Sequence, residues 1–200
     1  MAPRDAERTK GLILAAAEDL FAERGFDAAS MHEIAAAAGV ARATPAYFYG
    51  SKQALYEAVL ARVVSRAQQA MARAYAEANK HTAPEVAVDS YIGAFLDFLA
   101  HDQNFVRLIQ REALGDVSRV ADFFGQPVDD AITAFTPAAK QARISPQRLV
   151  LDLVALCWYP FAHEHTLLPA LGMKARDPAF IDEHKRHVAK LVQALTRANA

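Results

Sequence analysis

The chain has a single cysteine, Cys157, so no disulfide can form within it. Flanked by Leu156 and Trp158, that thiol reads as a small buried hydrophobe rather than a reactive group. The longest uninterrupted apolar run, Leu153 to Ala162, is about half of what a bilayer requires, and MAPRDAERTK has no apolar signal segment, so a cytoplasmic protein with no membrane partner is expected. Net charge is also nearly absent, at −1 over 200 residues. From Met1 to Lys52 there are six basic residues against seven acidic ones, so composition alone does not announce a nucleic-acid partner. Internal repeats, low-complexity tracts and long polar linkers are missing, and beyond Lys80 nothing alternates like a strand. What remains, 53% apolar and 22% charged, is the composition of a soluble globular protein.

The most informative stretch is SMHEIAAAAGVARATPAYFYGSK, Ser30 to Lys52. Ser30 with Glu33 forms a capping box, Met31, Ile34, Ala35 and Ala38 recur at helical spacing, and Gly39 supplies a left-handed end. Val40 plugs the turn. A second short helix starts within Ala41 to Pro45, with Thr44 as its expected cap and Pro45 as its first residue, and it stops at Gly50. A helix, a glycine turn and a second exposed helix is the arrangement that lays the second helix in the DNA major groove. Between Gly39 and Arg66 the charges are Arg42, Lys52, Arg62 and Arg66 against Glu57 alone, so a local basic face is expected there. Within it Tyr47 and Lys52 are expected to hold phosphates and Arg42 to reach a base edge, with Thr44 and Tyr49 as further DNA-binding candidates.

These residues resemble the DNA-binding domain of the tetracycline-repressor (TetR) family of bacterial regulators. LILAAAEDLFAERGFDAAS, HEIAAAAGVARAT and YFYGSKQALYEAVL fall in the family's order and spacing over about a quarter of the chain. Two departures stand out: Ala41 replaces the usual serine cap, and Pro45-Ala46 replaces an apolar-Tyr pair. The resemblance implies an all-α fold of about nine helices, with an N-terminal helix-turn-helix DNA-binding domain (1–51) and a C-terminal helical ligand-binding and dimerisation domain (52–200).

Taken in order, the first helix is expected over about 4–24 on the stripe Leu12, Ile13, Ala16, Ala17, Leu20 and Phe21. Ser51 caps a long helix carrying Leu55, Val59, Val63, Ala67 and Met71 to about Ala78, a rod on the order of 40 Å long. Thr82 with Glu85 makes another capping pair. Further helices are expected over about 84–100, 103–114, 117–124, 127–142, 146–163 and 178–198, with Gly115 and Gly125 closing two of them.

Two regions of this second part are unusually apolar. Tyr91, Phe95, Phe98, Phe105, Phe123 and Phe124 put six rings in 34 residues. They are either core or the wall of a cavity, and in the resembling family an effector binds between these helices. Candidate effector contacts are Phe95, Phe98, Leu99, Phe105, Leu108, Ile109, Glu112, Phe123, Phe124 and Trp158, with Gln110, Arg111 and His101 as further polar handles for a mostly apolar molecule. Leu149 to Ala162 is hydrophobic on nearly every side, so it either runs through the middle of the domain or packs one face on a second subunit. The family's last two long helices pair with their copies, which makes Leu149, Leu153, Leu156, Tyr159, Val188, Leu191, Val192 and Leu195 candidate homodimer contacts.

Enzymatic readings find little purchase. His163 and His165 diverge on a helix, and His184 with His187 read as a solvated pair, so no metal site is expected. Zinc spacings, phosphate-cradling glycine loops and nucleophile elbows are missing, and neither an enzyme nor a cofactor is expected. The expected function is a ligand-responsive, operator-binding repressor. The alternative is a helical small-molecule-binding or adaptor protein that no longer reads DNA.

Overall fold

Serine caps and left-handed glycines set the first four helices. The computed structural model describes residues 3–80, 83–114 and 118–197, and side chains within these except 3–4, 84–85, 118–124 and 196–197. Helix α1 (Pro3–Arg24) ends at Gly25, whose φ of +84° is open to glycine at no steric cost. Helix α2 (Met31–Ala37) opens with the expected box: Glu33 N donates to Ser30 Oγ (3.2 Å), and Ser30 N donates to Glu33 Oε2 (3.0 Å). Gly39, at φ +66°, turns the chain, and Val40 packs partly buried against the core. Helix α3 (Thr44–Tyr49) follows, then α4 (Lys52–Ala78), capped by Ser51 Oγ accepting from Ala54 N at 3.1 Å.

The start of α3 differs from expectation. Ala43 is the N-cap, no side chain caps the helix, and Thr44 is already helical. Proline near a helix start costs nothing there, because the first amides of a helix have no intrahelical partner in any case.

The body is α5 (Pro84–His101), α6 (Gln103–Ala113), α7 (Ser118–Gln141), α8 (Pro146–Ala162), the short α9 (Leu167–Ala170) and α10 (Pro178–Arg197). These make ten helices and no strand among the described residues. Asp102 caps α6 by accepting from Phe105 N (3.0 Å), and Ser145 caps α8 by accepting from Arg148 N (3.2 Å). The break expected at Gly125 is not there: α7 runs through Gly125, Pro127 and Pro137. Its buried stripe of Ala131, Phe135, Ala138 and Ala139 explains why. Burying Phe135 alone yields roughly 2 to 3 kcal/mol, comparable to the cost of an interior proline of about 3 kcal/mol. Thr82, the Glu85 side chain and Gly115 lie outside what the structure describes.

Helix α4 links the two ends of the molecule. Its N-terminal half packs on α1, with Tyr56 edge-on to Phe21 at 5.0 Å and to Phe26 at 5.1 Å. Its C-terminal half packs on α5 and α7, and one continuous set of buried residues runs from Ile13 to Val192.

Candidate nucleic-acid interface and ligand cavity

The α2–α3 turn and α3 present an exposed surface held from behind. Tyr47 is 82% exposed, whereas Pro45 is buried and Phe48 is half-buried. Arg42 is exposed in the turn before α3, with no ion-pair partner among the described residues. Thr44 is half-buried in the first turn of α3. Tyr49 points the other way: its hydroxyl donates to Lys10 O at 3.1 Å, and burial pushes its pKa up. Counted above as a DNA contact, it instead ties α3 to α1. Lys52 Nζ donates to Asp27 O (3.2 Å) and sits 4.5 Å from the Phe26 ring centre, which fixes the ammonium at the start of α4 while leaving two of its N–H bonds uncommitted.

The expected basic face is smaller than its charge count. Arg66 gives both terminal nitrogens to Glu18 (2.7 and 2.9 Å) and also bonds Asp102 (2.8 and 3.1 Å), while Arg62 Nε lies 3.6 Å from Glu18. Glu18 is only 6% exposed, so these arginines neutralise a buried carboxylate instead of facing a duplex. Arg42 and Lys52 remain.

That ion cluster belongs to a larger clamp on α1 that the sequence reading missed. At its start, α6 supplies Asp102 to Arg66 and Asn104 to Asp19 (2.7 Å). At its end, Arg111 donates to Ala22 O (3.3 Å) and Glu23 O (2.9 Å), the last carbonyls of α1, and Glu112 accepts from Tyr56 Oη of α4 at 2.5 Å. A signal was present: Glu18 lies four residues from both Leu14 and Ala22, and Glu112 four from Leu108, so each carboxylate occupies an apolar register where only a paired charge is tolerated.

The opposite face of α6 walls a cavity of about 550 Å³ among α4, α5, α6, α7 and α8. Of the expected effector contacts, Phe95, Phe105, Ile109 and Trp158 line it. Phe98, Leu99 and Leu108 instead pack in the core, Phe98 at 4.9 Å from the Phe105 ring. The side chains of Phe123 and Phe124 lie outside the described residues. Three of the polar handles are elsewhere: Arg111 and Glu112 hold α1 and α4, and His101 Nδ1 contacts Asp97 O at 2.7 Å. Tyr91 and Ile92 of α5, from the same aromatic region, line it as well, whereas the remaining walls were not expected, among them Met71 of α4, Val128, Ala131 and Phe135 of α7, and Gln147, Val150 and Cys157 of α8. The environment is dry enough that desolvation pushes both Cys157 and Tyr91 up to about 12.

On the outside, α8 and α10 divide the expected interface residues. Leu149, Leu153, Val188 and Val192 are buried in the chain's own core and Leu156 is half-buried, so the first four cannot face a partner as packed here. Tyr159 (47% exposed), Leu191 (38%) and Leu195 (42%) do face outward, while the unexpected Leu151 (60%) and Val154 (40%) stand at the exposed rim of the cavity. One-dimensional periodicity names the apolar faces but not which of them the same chain covers.

A capped short helix, a glycine turn and an exposed second short helix, mounted on a helical body, make this a helix-turn-helix DNA-binding regulator. Comparison with known proteins agrees. Residues 13–59 match the model of bacterial regulatory proteins of the TetR family. The chain is 27% identical to the HTH-type transcriptional regulator RutR of Escherichia coli over 94% of its length and 91% of that protein's. It is 37% identical to the HTH-type transcriptional activator FasR of Mycolicibacterium smegmatis over 54% of its length, a match spanning 47% of that relative. A TetR-family regulator from Mesorhizobium loti shares the fold with a TM-score of 0.69 at 18% identity, over 96% of this chain and 97% of that one. Residues 13–59 thus carry the DNA-binding part of the TetR family of bacterial regulatory proteins, on a chain similar over most of its length to an HTH-type transcriptional regulator.

Proposed function

We propose that the protein is a homodimeric, cytoplasmic repressor that leaves its operator when a small, largely apolar effector fills the α4–α8 cavity. In this reading residues 1–51 are the reading head and 52–200 the effector-binding and dimerisation body. The observation that carries it is the double duty of α6: Phe105, Ile109 and Gln110 line the cavity, while Asn104 and Arg111 hold α1 directly and Asp102 holds it through Arg66. An occupant that displaces α6, or Met71 on α4, therefore shifts the head relative to the body. Two heads occupy successive major grooves about 34 to 36 Å apart, and rotating each α4 rod, roughly 40 Å long, changes that separation. DNA affinity falls because both heads no longer fit one face of the duplex.

At the DNA surface Tyr47 and Lys52 hold phosphates, Arg42 reads a base edge, and Thr44 lies beside them. Dimerisation uses the exposed residues of α8 and α10, Leu151, Val154, Tyr159, Leu191 and Leu195, which offer a two-fold interface of at least about 1,000 Å². A light-scattering mass near 21.8 kDa at micromolar concentration would contradict this. The test of DNA reading is selection from a random duplex pool, followed by mobility shifts across salt concentrations. Recovery of a two-fold-symmetric site with a negative salt slope supports operator binding. Failure to enrich any sequence leaves the helical small-molecule-binding alternative.

A further inference from the structure

Among the described residues, the cavity wall contains no Asp, Glu, Lys, Arg or His. Its hydrogen-bonding groups are few, and one is oriented by the fold. Gln110 Nε2 donates to Ala162 O, at the end of α8, at 3.0 Å. A backbone carbonyl can only accept, so the carboxamide atom facing it must be the nitrogen and the amide cannot be flipped. Its oxygen, Oε1, has no partner among the described residues, and Gln110 is part of the wall. An oriented acceptor in a mostly apolar wall without charged side chains selects a ligand by what it can donate. An ionised group brought into this wall would lose its hydration with no opposite charge to meet it.

Resting on the reading of this cavity as the effector site, we infer that its ligand is an uncharged, largely hydrocarbon molecule carrying one hydroxyl or N–H group that donates to Gln110 Oε1. Gln110 is then a specificity-determining residue. It also adjoins Arg111, which holds the end of α1, so the ligand's polar contact falls next to the clamp on the reading head.

Trp158, the sole tryptophan of the chain, lines the cavity and reports occupancy by its fluorescence. The probes are 4-phenylphenol, its methyl ether 4-methoxybiphenyl, and biphenyl-4-carboxylate, which share a ring pair and differ in donor and charge. The full-length protein is expected to bind the phenol about tenfold more tightly than the ether, the worth of one satisfied buried hydrogen bond, and the carboxylate most weakly. Gln110→Leu should bring phenol and ether to within about twofold of each other. Gln110→Glu keeps an acceptor oxygen in either protonation state and should retain the preference. A carboxylate that binds as tightly as the phenol overturns the inference without use of any variant. So does a phenol preference that survives Gln110→Leu, or one lost equally in both variants, which would reduce Gln110 to a tie between α6 and α8. If none of the three probes quenches Trp158, the cavity is not a ligand site, and the broader reading fails with the inference.

Discussion

Replacing Arg66 with methionine tests the clamp most sharply. The substitution keeps most of the aliphatic stem and removes the guanidinium, leaving Glu18, 6% exposed, without its bidentate partner. Removing one member of a buried ion pair costs about 3 to 5 kcal/mol, because the remaining charge stays desolvated. Arg62 at 3.6 Å and Asn104 at 3.3 Å still reach Glu18, and the Arg66 side chain is itself 33% exposed, so the low end applies, about 3 kcal/mol. For a chain of this length that lowers Tm by roughly 6 to 12 °C. Urea unfolding followed by circular dichroism measures it directly, with the m-value as a check that the same transition is compared. The double variant Arg66→Met with Glu18→Gln should lose less than Arg66→Met alone, since it leaves no unpaired buried charge. A loss below about 1 kcal/mol for Arg66→Met, the value of a surface ion pair, would refute the claim that this cluster holds α1 to α4 and α6.

Gly25→Ala should destabilise by at least about 1 to 2 kcal/mol, because alanine resists the left-handed backbone there, and its Cβ would lie 2.9 Å from Arg111 Nη1; thermal unfolding reads this out. Arg42→Ala should relax specificity at one base pair by about 1 to 3 kcal/mol while leaving stability untouched, as measured by competition with operator variants. Lys52→Ala should reduce the salt slope of DNA binding by about one, and an unchanged slope would remove it from the phosphate contacts. Ser30 hydrogen bonds hold the Glu33 carboxyl below the ordinary glutamate value of 4.5, so the ionised form stabilises the fold above that pH and the contribution is lost as pH falls through the lower folded-state pKa. Glu33→Gln should therefore flatten the acid limb of the stability profile.

The local grammar of the head was legible because caps and turns act within a few residues. Ser30, Glu33, Gly39 and Ser51 do in the structure what their spacing implied. Readings that depended on distant partners went further astray. Arg62 and Arg66 counted toward a basic face until Glu18, far away in sequence, took their charge. Arg111, assigned to a ligand, caps carbonyls of α1, and Tyr49, assigned to DNA, bonds Lys10 O. Gly25 and Gly125 carry the same residue in opposite roles: one ends a helix at positive φ, while the other lies within α7, where tertiary burial outweighs local propensity. The apolar stripes of α8 and α10 were visible, but only packing separated Leu149 and Val188, which fill the core, from Leu151 and Leu191, which stay exposed.

The central claim is that cavity and reading head are coupled through α6. It is tested by operator affinity measured with and without saturating 4-phenylphenol, beside the affinity of that probe with and without operator, both in the full-length protein. The account predicts that the probe weakens operator binding and that operator weakens probe binding by the same factor, with the factor shrinking toward one in Arg111→Met. Operator affinity that is identical with the cavity filled and empty, while Trp158 reports full occupancy, would contradict it.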